Sequence, residues 1–163
     1  MSSEGGRIQV IDEETCRKLL ARRHFGRVAL VDDQGPVIFP VNYVVDGRSI
    51  VFRTDPGTKR SYATQGRPAC FEIDDVDTRR RFGWSVVVRG RLDEVMDDGG
   101  REWLSGRLIE PYPGGPKEHL VRLSCTSISG RRIPLPEDAP EDGFERAQVG
   151  HLWHGQDASD LLG

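Results

Sequence analysis

The sequence lacks several features that would assign it to a familiar class. Its 163 residues contain no apolar run near the ~20 residues that a membrane-spanning helix needs, so a membrane protein is not expected. The N-terminal stretch has no basic segment followed by an apolar one, so no secretory signal is expected either. The three cysteines lie far apart in the chain, which argues against a disulfide framework and a zinc site. These absences together predict a cytoplasmic protein.

Lysine is scarce as well, because only three of the 23 basic residues are lysines and the others are arginines. This bias is typical of a high-GC genome, and it makes any single arginine weak evidence of function. The formal net charge of −3 argues against a nucleic-acid-binding protein. Residues 133–163 hold seven acids and one arginine, a net charge of −6, which leaves +3 for residues 1–132. A mildly basic body of this kind suits a small ligand that carries a phosphate.

Hydrophobic periodicity predicts a mainly β protein with few helices. A helix is expected between Ile11 and His24, where Asp12 can cap the N-terminus and Cys16 and Leu20 belong to an apolar stripe. Strands are expected over residues 25–31, 36–45, 48–53, 68–74, 84–95 and 119–133, and short helices over residues 58–65 and 101–108. Six strands joined by hairpins favour a six-stranded antiparallel barrel over a doubly wound sheet, which needs helices between most strands.

The predicted barrel domain covers residues 1–133, and a segment of different composition follows it. Residues 134–163 are rich in Pro, Gly, Asp and Glu, so we expect an acidic tail that is extended or partly disordered. The chain contains no GxSxG, HExxH or P-loop motif, and no GxGxxG after a strand. Its histidines are not spaced as a metal cluster inside the barrel domain, and the His151 and His154 pair, which could bind a metal, lies in the predicted tail, so no metal site is expected.

The end of the third predicted strand carries the strongest sign of ligand binding. This strand ends at Arg53 and Thr54, passes through a Pro-Gly turn, and leads into a helix that begins with Thr58 and Lys59. Free backbone N–H groups at a helix N-terminus bind anions, and these side chains add a hydroxyl and positive charge. The pattern predicts a phosphate site; the alternative is a capped helix with solvated basic residues.

A second candidate lies on the preceding strand, at Asn42 and Tyr43. The Asp-Gly pair that begins at Asp46 is a strong hairpin signal, and a two-residue turn there pairs Phe52 with Val41. This register brings the second candidate close to the predicted phosphate site. An asparagine amide both donates and accepts hydrogen bonds, which suits the edge of a planar heterocycle. The alternative is an edge-strand asparagine beside a core tyrosine.

A third candidate opens the fifth predicted strand, where Trp84 and Ser85 precede a run of valines. The Ser85 hydroxyl is a candidate partner for a phosphate. The alternative is an ordinary barrel strand in which Gly90 marks a bend.

Taken in order, these stretches resemble a known family. Residues 12–133 are similar to the pyridoxamine 5'-phosphate oxidase-like flavoproteins, which have the FMN-binding split-barrel fold. The matching segments are residues 25–30 (FGRVAL), 40–47 (PVNYVVDG), 51–59 (VFRTDPGTK), 71–72 (FE), 83–90 (GWSVVVRG) and 129–133 (SGRRI). The resemblance implies a six-stranded split barrel that forms a homodimer, with two FMN sites at the interface and a small-molecule substrate.

The resemblance also implies a role for each candidate residue. Asn42 and Tyr43 would lie beside the isoalloxazine ring, and Arg53 and Thr54 would contact the ring edge and the ribityl chain. The phosphate would be bound by Thr58 and Lys59, with Trp84 and Ser85 nearby.

The chain departs from true pyridoxamine phosphate oxidases at its closing segment. It lacks their Arg–Trp pair, because Arg131 and Arg132 are followed by Ile133. The resemblance therefore implies an FMN-dependent oxidoreductase other than a pyridoxamine phosphate oxidase. A deazaflavin-dependent reductase of the same fold is an alternative, since that cofactor occurs in actinobacteria. A non-enzymatic flavin- or haem-binding protein is another, and His119 is then the candidate haem ligand.

Overall fold

The computed structural model describes residues 8–54, 66–79, 81–95 and 119–134. These segments form seven strands and one helix. In chain order they are β1 (Gln9–Ile11), α1 (Glu13–Ala21), β2 (Phe25–Asp32), β3 (Gly35–Asp46), β4 (Ser49–Thr54), β5 (Pro68–Asp77), β6 (Phe82–Glu94) and β7 (His119–Ile133). The helices predicted over residues 58–65 and 101–108 lie outside the described residues, as does the predicted tail beyond residue 134.

Six of the strands close into a ring. The sheet order is β1-β7-β4-β3-β2-β5-β6, and a further pairing between β6 and β7 completes the circle. Every pairing is antiparallel. The predicted six-stranded antiparallel barrel is confirmed, and β1 adds a short seventh strand outside the ring.

Alternating side chains separate the inside of the barrel from its outer face. Over residues 26–30 of β2 and 69–73 of β5 every second residue is buried, as expected for strands with one face on a core. The largest fully buried side chains are Tyr43, Phe52, Phe71, Ile50, Ile73, Leu92, Leu123, Val28, Val51, Val86 and Val88. All of these except Val51 belong to one cluster that fills the barrel.

Helix α1 packs against β3, β6 and β7 and confirms the predicted helix. Asp12 caps it by accepting a hydrogen bond from the backbone N–H of Thr15 at 2.8 Å. Cys16, Leu19 and Leu20 face the barrel and are buried. No helix among the described residues is long and apolar enough to span a membrane.

The turn between β3 and β4 corrects the predicted register. The last pair is Asp46 with Ser49, so the two loop residues are Gly47 and Arg48 rather than the Asp-Gly pair. Gly47 adopts a φ of 59°, which glycine reaches at little cost, and Asp46 stays in the strand. The residue opposite Phe52 is consequently Tyr43 and not Val41.

A β-bulge interrupts the long pairing of β6 with β7. Arg89 is opposite Ser127 whereas Gly90 is opposite Cys125, which leaves Thr126 as the extra residue. A Cβ atom at Gly90 would lie 2.1 Å from the backbone oxygen of Ser124. Only glycine allows this close approach of the two backbones.

Candidate functional site

Asn42 and Arg53 lie side by side on the outer face, where β3 meets β4. Tyr43 and Phe52 form the last pair of the two strands, and both are buried inside the barrel. Asn42 precedes Tyr43 in the chain, and Arg53 follows Phe52. Since successive side chains in a strand point to opposite faces, Asn42 and Arg53 point outward, and both are half-buried. The backbone is fixed here because the N–H of Tyr43 donates to the carbonyl of His24 at 2.9 Å.

Strand β4 ends beside this pair. Arg53 is opposite Leu120 on β7, and Thr54 is opposite His119. The chain then enters residues 55–65, which contain the predicted phosphate ligands Thr58 and Lys59 and lie outside the described residues. Arg53 is therefore only a few residues from the predicted phosphate site, and Asn42 lies on the neighbouring strand.

Tyr43 lies on the inner side of the barrel wall. Its hydroxyl donates a hydrogen bond to the backbone oxygen of Leu20 at 2.7 Å, which ties β3 to the last turn of α1. Its ring meets Phe71 edge to face, with centroids 4.6 Å apart. Burial raises the pKa of the Tyr43 hydroxyl well above its usual value, so the group stays neutral and keeps its proton.

Trp84 is also buried, at 5 % exposure. The guanidinium carbon of Arg23 lies 5.4 Å from the centroid of a Trp84 ring, and Arg23 pairs with Asp75 at 2.6 Å. The indole Nε1–H of Trp84 is buried and has no hydrogen-bond partner among the described residues. Trp84 therefore lies on the inner face of the barrel, while its neighbour Ser85 lies on the outer face.

Ser85 lies on the outer face, between two cross-strand neighbours. It is opposite Asp74 on β5 and Arg131 on β7. Extending the register of β2 with β5 by two residues brings Phe25 level with Asp74, and Phe25 is itself opposite Asn42. Asn42 and Ser85 thus lie in one row across four strands, about 14 Å apart along the curved barrel wall at ~4.8 Å per strand. We call the four positions Asn42, Phe25, Asp74 and Ser85 the polar row, although Phe25 itself is apolar.

Charged side chains flank the polar row. Arg27 pairs with both Glu72 at 3.1 Å and Asp74 at 2.8 Å. Burial and the neighbouring Asp74 raise the pKa of Glu72, while Arg27 acts in the opposite direction. Sequence reasoning missed Arg27, Asp74 and Arg131, although the alternation of β2, β5 and β7 could have assigned them to the outer face.

The described part of the chain brings the candidate residues together in two groups. Asn42 and Arg53 form one group at the end of β4, and Ser85 belongs to a second group with Arg131. Amide, hydroxyl and guanidinium groups of this kind suit a polar heterocycle that carries a negative charge. The fold and the polar row define a small β-barrel protein with a candidate ligand site on its outer wall.

Comparison with known proteins gives the family. Residues 12–132 match the model of the family described as pyridoxamine 5'-phosphate oxidase. The chain is 36% identical over 138 residues to Rv0080, an uncharacterized protein of Mycobacterium tuberculosis, covering 80% of this chain and 88% of that protein. The chain belongs to the pyridoxamine 5'-phosphate oxidase family, which confirms the resemblance.

Two solved structures of Mycobacterium smegmatis proteins share the fold. An FAD binding protein has 36% identity and a TM-score of 0.62, with 77% of this chain and 98% of that chain covered. An FAD and heme binding protein has 23% identity and a TM-score of 0.58, with 82% and 76% covered. The second likeness concerns the fold alone.

Proposed function

We propose that the protein is a flavin-dependent oxidoreductase that binds FMN on the outer face of the barrel and acts on a small molecule in the cytoplasm. Membership of the family and the relative described as an FAD binding protein support a flavin. The observation that carries the proposal is the outward pair Asn42 and Arg53, because Arg53 lies only a few residues before Thr58 and Lys59 and Asn42 lies on the neighbouring strand. The ring-binding amide is thus on the strand next to the one that leads to the phosphate-binding lysine.

Different residues bind different parts of the flavin. Asn42 hydrogen-bonds the ring edge as both donor and acceptor, and Arg53 and Thr54 contact the ring edge and the ribityl chain. The phosphate is bound by Thr58 and Lys59.

Tyr43 and Trp84 lie on the inner face of the barrel and support the residues that bind the flavin. The bond from Tyr43 to Leu20 holds β3 in place, so that Asn42 keeps its position beside the ring. Trp84 supports Ser85 through packing, because its buried ring lies against Arg23 on the inner side of the same strand. A bound flavin supplies two-electron redox chemistry, and the protein binds and orients it.

A homodimer completes the site in this proposal. Within one chain Ser85 is three strands from Asn42, about 14 Å along the barrel wall, which is too far for both to contact one ring edge. Phe25 lies between them in the polar row and is 56% exposed, and Val76 near the same end of β5 is 61% exposed. Packing two copies over these apolar side chains would bring Ser85 of one copy towards Asn42 of the other.

Other cofactors of this fold share part of the FMN structure or need a different ligand from the protein. FAD contains the same ring and the same first phosphate, so the residues assigned above serve both flavins. A deazaflavin-dependent reductase is the alternative within the enzyme class. A non-enzymatic haem protein needs an axial ligand, for which the candidate is His119, the first residue of β7.

The proposal is tested by titrating the full chain with FMN and with riboflavin. Replacing Lys59→Ala should weaken FMN binding roughly tenfold to hundredfold, because a charge-assisted bond to phosphate is lost. Riboflavin has no phosphate, so its affinity should change less than about twofold. Lys18→Ala is the matched control, since Lys18 is exposed on α1 and pairs with Glu14.

Arg53→Gln tests the ring end of the site. It should weaken FMN and riboflavin together, while Arg48→Gln in the β3–β4 turn should weaken neither. Equal loss of both ligands in the Lys59 variant, or no loss in either variant, contradicts the assignment of these residues to a flavin.

A further inference from the structure

A groove of about 540 Å³ crosses the outer face of the barrel at the end away from the polar row. Its position along β3 is marked by Pro36, six residues from Asn42, which corresponds to about 20 Å of extended strand. The groove is therefore distinct from the flavin site proposed above. Its volume falls within the range of about 300–1,000 Å³ that is typical of small-molecule sites.

Small side chains on the central strands create the groove. Ala29 on β2 and Cys70 on β5 are cross-strand partners and form the floor. Val31, paired with Pro36, forms an apolar wall on one side. Val31 is 61% exposed, so this wall is open to solvent.

Two arginines form the opposite wall. Arg89 and Arg91 are two residues apart on β6 and therefore point to the same face, with Gly90 between them facing inward. Arg91 donates a hydrogen bond to the backbone oxygen of Gly66 at 2.9 Å, which fixes its guanidinium. Thr126, the extra residue of the bulge, donates to the backbone oxygen of Arg89 at 3.0 Å.

The charge of the groove is uncompensated in the part of the chain that the structure describes. None of the described residues that line it is acidic. The side chain of Arg89 has no ion pair within residues 8–54, 66–79, 81–95 and 119–134. An apolar floor beside these arginines favours a ligand that has both an apolar part and a negative charge.

We propose that this groove binds a small amphipathic anion. The apolar body of the ligand lies on Ala29, Val31 and Pro36, and its carboxylate, sulfonate or phosphate group faces Arg89 and Arg91. A bare inorganic anion would leave the apolar floor uncovered, and a neutral apolar molecule would leave the arginines unpaired. This second site is independent of the flavin.

The probes are 8-anilinonaphthalene-1-sulfonate and its uncharged counterpart N-phenyl-1-naphthylamine, titrated into the full chain by fluorescence. Arg89→Gln should weaken the sulfonate probe about fivefold and the neutral probe less than twofold, as expected for an exposed ion pair. Arg48→Gln, an exposed arginine in the β3–β4 turn, should change neither affinity. Ala29→Trp fills the floor and should abolish binding of both probes.

Cysteine modification provides a second readout. A saturating sulfonate probe should slow modification of Cys70 but not of Cys125, which lines a different cavity. Circular dichroism of each variant shows whether it is folded. If Arg89→Gln weakens both probes equally, or if Ala29→Trp leaves binding intact, the proposal is wrong.

Other occupants give different results in the same titration. If removal of residues 135–163 or dissociation to monomers is needed before the probe binds, the tail or a second copy occupies the groove instead. Either result also overturns the proposal.

Discussion

Residues that are adjacent in the sequence have different tasks in this barrel because its wall is one strand thick. Asn42 faces outward with its amide available to a ligand, while Tyr43 faces inward and bonds to α1. Ser85 and Trp84 divide in the same way. The sequence alone indicates that neighbours point to opposite faces, but it does not tell which face meets the ligand, because both sides of this wall are partly apolar.

The Tyr43→Phe substitution tests whether the inward-facing tyrosine stabilises the fold while the outward-facing Asn42 binds the ligand. The substitution removes the buried hydrogen bond to Leu20, whose carbonyl still accepts from the backbone N–H of Arg23, and should lower the free energy of unfolding by about 0.5–1.5 kcal/mol. Urea denaturation measures this loss. Flavin affinity should fall less than in Asn42→Ala, and a greater fall in the tyrosine variant contradicts the division.

At the scale of elements, the strands follow from their composition more reliably than their register does. The β-branched runs predicted six strands whose bounds differ from the structure by a few residues. Strand β1 was not predicted because it has three residues, of which only Ile11 is buried. The β3–β4 register was wrong by one turn position, since the pattern cannot tell which residue of the Asp-Gly-Arg stretch leaves the ladder.

The cap of α1 gives a prediction with a pH dependence. Hydrogen bonds from Thr15 lower the pKa of Asp12 below its ordinary value of 3.8, so the folded state favours the ionised carboxylate. Asp12→Ala should therefore destabilise the protein by an amount that is constant above that value and shrinks as the pH falls below it.

Thermal unfolding from pH 7 to pH 3 measures this difference. Asp12→Asn, which caps without a charge, should retain much of the stability at every pH. Asp33→Ala in the β2–β3 turn is the matched control. A gap between Asp12→Ala and the native chain that widens in acid contradicts the role of the carboxylate.

At the scale of the whole molecule, the separation of Asn42 from Ser85 makes the second copy necessary to the proposed site. The family resemblance implied this dimer, whereas the row across four strands gives it a physical reason. Sequence patterns could not supply that reason, because the distance depends on which strands lie between β3 and β6. In the proposed function, the polar row links assembly to ligand binding.

Phe25→Glu tests this link. A carboxylate at the centre of the polar row should prevent dimer formation and weaken flavin binding, while circular dichroism shows an intact barrel. Light scattering after size exclusion measures the mass. Val31→Glu at the other end of β2 is the control and should remain dimeric, and a Phe25→Glu dimer that binds flavin normally contradicts the proposed interface.

Binding of a flavin by this barrel can be measured directly. The absorption spectrum of the purified full chain is recorded before and after addition of FMN, and any released small molecule is identified by mass spectrometry. The account predicts one flavin per chain, either co-purified or taken up on addition. A deazaflavin mass, a haem band, or no uptake of FMN or FAD would contradict it.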